Sequence, residues 1–436
     1  MPSPDETARE LGAEVRKAAH PLQRSDDLDV LLERVGDARV VMLGEASHGT
    51  SEYYTWRSRI TQRLVLELGF SFVAVEGDWP DCYVVNRHVK GYPDAGTDTA
   101  LALRTFERWP TWMWANWEVV ALCIWLRRHN QRLPTERRIG FYGLDVYSLW
   151  TSLAEIMRYL EEYDPAALEA AREAYACFEP FGRDVQAYAR STAFVPQSCE
   201  DEVVDLLATV RRRQSPRPDD DEARFNAEQN ARTAVGAERY YRAMVRAGPD
   251  SWNVRDRHMD ETLAALLHRH GRHAKAVVWE HNTHIGDARA TDMAAAGMVN
   301  VGQLARERFG RDAVVLVGFG SHRGSVIAGR SWGAPMERMA MPPARAGSWD
   351  DVLHQSLEGD GLLLTDRLPE AAAQPRGQRA IGVVYDPGAE RHGNYVSTRL
   401  PERYDAFVYL DHTQALHPLG VAPESTRPPA TYPWGL

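Results

Sequence analysis

ARVVMLGEASHG (residues 38–49), SEYYTWRSRITQRLVLEL (51–68) and FSFVAVEGD (70–78) follow one another almost without a break. The outer two segments each carry a short apolar run, Ala38–Leu43 and Phe70–Val75, that stops at Gly44 or Glu76. Such runs read as buried strands. In the segment between, Trp56, Ile60, Leu64 and Leu68 fall four apart, Thr50 or Ser51 can cap the start, and Gly69 can close the end. Strand, amphipathic helix and strand make a βαβ unit, and its two strands run parallel.

Working outward, Ile139–Gly143, Ala274–Trp279, Ala313–Val317, Ala380–Tyr385 and Ala406–Leu410 also read as buried strands, and a helix near Val301–Phe309 ends at Gly310. The pair AKAVVWEHNTHIG and GRDAVVLVGFGSHRG echoes the opening unit: a strand ends in a Glu/His turn, a helix follows, and a second strand ends in a polar turn. Residues 149–272 differ, being helical in period, poor in strand signals, and broken at RRRQSPRPDDDE (211–222), where Pro216 and Pro218 stop a helix. The predicted fold is α/β, with two βαβ-type halves forming a mostly parallel central sheet flanked by helices. Its parts are an N-terminal half (1–148), a helical insertion placed as a lid (149–272), a C-terminal half (273–422) and an extended Pro-rich tail (423–436).

Composition narrows the function. A chain of 436 residues, 44% hydrophobic and 26% charged, has material for one large domain or two to three smaller ones. A formal charge of −10 and a pI near 5.9 argue against nucleic acid or an anionic membrane as partner. Only Lys17, Lys90 and Lys275 are lysines among 51 basic residues, a compositional bias with no bearing on recognition. Cys82, Cys123, Cys177 and Cys199 have no metal or redox spacing, which predicts free thiols in a reducing cytoplasm. Met1–Gln23 lacks the apolar core of a signal peptide, and no run reaches membrane-span length. A soluble cytoplasmic protein is expected.

Parallel sheets place ligands at their carboxyl edge. Glu45 and His48 lie in the turn after the first strand, Glu76 and Trp79 after the second, and Asp145 after Ile139–Gly143. A histidine beside carboxylates gains a fixed tautomer and greater basicity, as a general base for water needs. Glu280-His281-Asn282-Thr283-His284 follows another strand, and its two imidazoles can bind a metal, an oxyanion or a carbonyl. Arg57, two turns into the first helix, can aim at substrate or at Glu45. Arg255, with Asp256 at the start of a helix, and His322 are further candidates, whereas His268, His270 and His273 read as a solvated helix end. Six of the thirteen tryptophans fall between Trp79 and Trp125, enough to line an apolar pocket, although core packing accounts for most such residues. The nucleophile elbow, the phosphate-binding loop, the dinucleotide glycines and His-Glu-x-x-His are all missing.

Gly44–Gly49, Glu76–Trp79, Gly143–Asp145, Trp252–Asp256, Trp279–His284 and Gly318–Gly324, in that order, resemble the erythromycin esterase family over about residues 15 to 415. The resemblance implies a hydrolase unrelated to serine α/β-hydrolases, with His48 as general base and Glu45 and Glu76 orienting base or water. It also implies Arg57 and His284, with His281 beside it, as groups that polarise the ester carbonyl. Three hypotheses follow. The first is a cofactor-free ester or lactone hydrolase acting on a small molecule, with Asp145, Trp79, Arg255, His281 and His322 binding substrate. The second keeps the same rim with a divalent metal on Glu45, His48, Glu76 and His284. The third is a non-catalytic binding or biosynthetic-accessory protein.

Overall fold

The computed structural model describes residues 4–181, 185–194, 198–212, 221–246 and 248–421. Along these residues the strands are β1 (Ala19–Pro21), β2 (Val40–Leu43), β3 (Phe72–Asp78), β4 (Gly140–Asp145), β5 (Ala276–Trp279), β6 (Val314–Gly329), β7 (Met336–Met341), β8 (Gly361–Leu364), β9 (Arg376–Arg379), β10 (Tyr395–Thr398) and β11 (Ala406–Thr413). Nine of them form one sheet in the order β1-β8-β11-β6-β2-β5-β3-β4, with β7 on the outer end of β6. Neighbours from β11 to β4 are parallel, while β8, β1 and β7 pair antiparallel. The mostly parallel, helix-flanked sheet is the expected one.

The two βαβ units interleave. β2 and β3 are parallel, joined by the helix Ser51–Leu68 that Gly69 closes at φ 69°, but β5 lies between them; β2 in turn lies between β5 and β6. The turns after β2, β5, β3 and β4 therefore stand side by side on one rim. Alternation along the strands shows both faces buried. Val41, Leu43, Val73, Val75, Val277 and Trp279 enter one core, and Val40, Met42, Phe72, Ala74, Ala276 and Val278 the other.

Several expectations are corrected. Ala380–Tyr385 is not a strand. It crosses the rim with single bridges, Ile381 to Ser47 and Val384 to Gly329. The glycine-rich stretch 318–324 is no loop but the continuation of β6. Its glycines leave room for neighbours: a Cβ at Gly318 would meet Phe407 and Tyr404 at 2.8 Å, and one at Gly320 would meet Asp350 at 2.7 Å. His270 packs on Phe72, ring centroids 4.8 Å apart, instead of lying in solvent. Cys177 and Cys199 are disulfide-bonded, and only Cys82 and Cys123 are free. Packing in the helical layer brings the bonded pair together, which spacing alone does not signal. Most of the break at 211–222 and the tail at 423–436 fall outside the described residues.

The helices between Leu149 and Met244 build a core of their own around Leu153, Ile156, Leu206 and Tyr241. The helix Asp250–Arg269, by contrast, belongs to the sheet: Met259, Leu263 and Leu266 pack in the same cluster as Val40 and Phe72. Among the described residues no helix is long and apolar enough to cross a membrane.

The turn bearing His48 is tied to three other segments. Ile381 N–H donates to Ala46 O (2.8 Å), while Ile327 and Leu416 N–H both donate to Gly49 O (3.0 Å each). A Cβ at Gly49 would stand 1.9 Å from Ile327 O, so only main-chain movement can accommodate it. Gly49→Ala is accordingly expected to destabilise the fold by about 1–3 kcal/mol, read as an earlier urea midpoint.

Candidate active site

His48 Nδ1–H donates to Glu45 Oε1 at 2.9 Å, and Arg57 Nη2 donates to Glu45 Oε2 at 2.7 Å. Glu45 and Arg57 are both fully buried, and the Arg57 guanidinium lies over Tyr54 and Trp279, 4.3 and 4.7 Å from their ring centroids. Nδ1 of His48 is thus committed to Glu45, and its Nε2 is left to the cavity that the ring lines. Burial opposes a charge on this ring, but the carboxylates of Glu76 and Glu45 outweigh it and raise the His48 pKa above the usual histidine value.

Across the rim, Arg255 gathers the other acidic groups. Its Nε donates to Asp145 Oδ1 (2.9 Å), and its Nη2 to Asp145 Oδ2 and Glu76 Oε1 (2.7 Å each). The second oxygen of Glu76 accepts the main-chain N–H of His281 at 2.9 Å. Burial acts to raise the Glu76 pKa, but His284, Arg255 and His48 together hold it far below the ordinary carboxylate range; Asp145 is lowered, against its burial, chiefly by Arg255. His281 Nδ1 accepts from Thr283 N–H (3.3 Å), which leaves the proton on Nε2, a buried atom with no protein partner among the described residues. Burial, with the neighbouring His48 (ring centroids 4.9 Å apart), pushes its pKa well down and keeps the ring neutral.

These groups open on a cavity of about 770 Å³ whose lining is largely apolar, including Phe106, Met113, Trp114, Trp252, Met298 and Trp332. His48, Glu76, Asp145, Arg255, His281 and His284 all border it, with Glu45 directly behind His48.

Three predicted residues stand elsewhere. Arg57 reaches no substrate, being sealed beneath Glu45. Trp79 turns to the opposite face of the sheet, stacked on Tyr142 at 5.7 Å with its Nε1–H donated to Asn226. His322 sits within β6 and stacks on His354 at 3.6 Å, away from the cavity. Sequence reasoning missed Arg108, which pairs Asp78 at the cavity wall, and gave no distinct part to Asp256, whose oxygens lie 2.9 and 3.1 Å from His284 Nδ1.

The donor set does not suit a divalent ion. Glu45 is shared by Arg57 and His48, Glu76 by Arg255 and His281, and the guanidinium of Arg255 bridges Glu76 and His284. Among the described residues no three His, Cys, Asp or Glu side chains are grouped to hold a metal.

A mostly parallel sheet, flanked by helices, whose rim holds a carboxylate-bound imidazole beside a large apolar cavity defines a protein of mixed α/β class. The sequence profile described as erythromycin esterase matches residues 65–413, and the chain belongs to the erythromycin esterase family. Over 130 residues it is 29% identical to the erythromycin esterase type II of Escherichia coli, a stretch that makes up 30% of this chain. The match spans only 29% of that relative's length. Among solved structures, a succinoglycan biosynthesis protein superposes with a TM-score of 0.75 at 21% identity, covering 94% of this chain and 98% of its own. A Bacillus cereus protein does so at 0.73 and 18%, with the same coverage of 94% and 98%. A mutant of the erythromycin esterase EreC in its open conformation gives 0.63 and 17%, covering 92% of this chain and 96% of that one. At these identities the three share the fold.

Proposed function

We propose that the protein hydrolyses carboxylic esters or lactones of macrolide-like bulk by direct attack of water. The observation that carries this reading is the Glu45–His48 pair, whose free Nε2 faces the cavity. His48 Nε2 takes a proton from water as the new O–C bond forms at the carbonyl. The imidazolium is held by Glu45 and then passes the proton to the departing alkoxide as the ester C–O bond breaks. Of the five N–H groups of Arg255, four meet Asp145, Glu76 and His284; the fifth is available to the oxyanion.

Arg57 supports this base from behind. Arg57→Met frees Glu45 to swing and is expected to lower kcat by about 10²-fold with KM little changed, checked by steady-state kinetics.

The reading is tested by incubating the protein with macrolides, simple lactones and aryl esters and following the addition of one water by mass spectrometry. Turnover of a bulky ester supports it. Tight binding without turnover across the panel favours the non-catalytic alternative. No loss of activity on dialysis against a chelator is expected.

A further inference from the structure

The two imidazoles at the rim are wired in opposite senses. Each has a carboxylate on Nδ1, Glu45 for His48 and Asp256 for His284. The Nε2 of His48 opens on the cavity, whereas that of His284 lies 3.0 Å from Arg255 Nη1. A guanidinium carries only donors. His284 Nε2 is therefore the acceptor, and the ring keeps its proton on Nδ1, where Asp256 receives it.

Asp256 is built for that single task. It is completely buried, and its Oδ1 also accepts the N–H of Val301 at 3.1 Å, which fixes the carboxylate at the start of the helix Val301–Phe309. Trp252, one turn earlier on the helix of Asp256, lies flat on the His284 ring with centroids 4.5 Å apart and planes 7° from parallel. The ring can neither tilt nor shed its proton towards Arg255 without breaking one of these contacts.

We propose that Asp256 is a positioning residue: through the Nδ1–H of His284 it presents a lone pair to Arg255 and so keeps the remaining N–H of that arginine turned to the reacting carbonyl. His284 is then the bracket of the oxyanion donor and not a second base. The kinetic part of this inference rests on the hydrolytic reading above; the protonation part does not.

Nitrogen-15 NMR of the histidine-labelled full chain, at a mildly alkaline pH where His48 is neutral, tests it directly. Wild type is expected to show His284 as the Nδ1–H form alone. Asp256→Asn keeps an acceptor, because Val301 N–H holds the amide oxygen at the Oδ1 position, and should preserve that form and stay within about tenfold of wild-type kcat. Asp256→Leu removes the acceptor, so the pure Nδ1–H signature should vanish and kcat should fall by about 10²-fold or more, the scale of losing one oxyanion donor. An Nε2–H signature for wild-type His284 overturns the proposal even if neither variant folds. So does Asp256→Leu with the wild-type signature and kcat, or equal losses in the two variants. If wild type turns over no ester but the NMR series behaves as described, the hydrolytic reading fails and the bracket stands.

Discussion

His48→Ala is expected to reduce ester hydrolysis by about 10²–10⁴-fold, the full range ascribed to a positioned general base. No neighbour can replace it: His281 keeps its free proton on Nε2 and accepts from Thr283 at Nδ1, and His284 Nε2 is engaged by Arg255. The variant should still fold, because Glu45 retains Arg57. The pH dependence follows from the sign of the shift. His48 works as a base only when neutral, so kcat/KM should climb as pH rises through its raised pKa, later than an unperturbed histidine would allow. Stability runs the other way. A folded pKa above the unfolded one contributes stability in full below the ordinary histidine value, and that contribution is lost as pH rises through the folded value. Urea midpoints measured against pH should fall across that window in wild type and flatten in His48→Ala. Near wild-type turnover in a folded variant would remove His48 from the mechanism.

Arg255→Met carries the second large effect. It strips the shared cation from Glu76 and Asp145, both buried. Leaving a buried ion pair without one partner costs about 3–5 kcal/mol, which should appear as a large drop in the urea midpoint together with loss of turnover. In wild type the lowered pKa values of Glu76 and Asp145 contribute stability that is present above the ordinary carboxylate range and lost as pH falls. In the variant both carboxylates lose part of what holds their pKa values down, so its deficit should shrink towards acid pH. Adding Asp145→Asn should recover part of the stability but not the activity. A deficit independent of pH would show that the cost is packing and not charge.

Much of the rim was legible in the sequence because strand ends are. Apolar runs broken by Glu45, Glu76, Asp145 or Glu280 mark both a buried strand and its polar turn, and parallel packing carries those turns to one edge. Side-chain direction was not legible. Arg57 and Trp79 lie close in sequence to these turns, yet one is drawn beneath Glu45 and the other is turned through the sheet to Tyr142, outcomes set by which neighbours the fold supplies. His322 looked like a turn residue because glycines read as loop, whereas here they thin a strand so that Phe407 and Asp350 can approach. Short strands such as Gly361–Leu364 are too brief to show a period. Asp256 could have been weighed from its place beside Arg255, but its partner is 28 residues away and only packing makes them meet.

The threading of β5 between β2 and β3, and of β2 between β5 and β6, also governs how the molecule comes into being. β2 and β3 do not pair with each other, so a chain synthesised only as far as the helical layer still lacks the strand that joins them in the finished sheet. A cut between the two halves would strip β2 of both of its neighbours, β5 and β6. Ala276–Trp279 is the strand that sets the turn bearing His48 beside the turn bearing Glu76, so the site depends on a segment more than two hundred residues further along the chain.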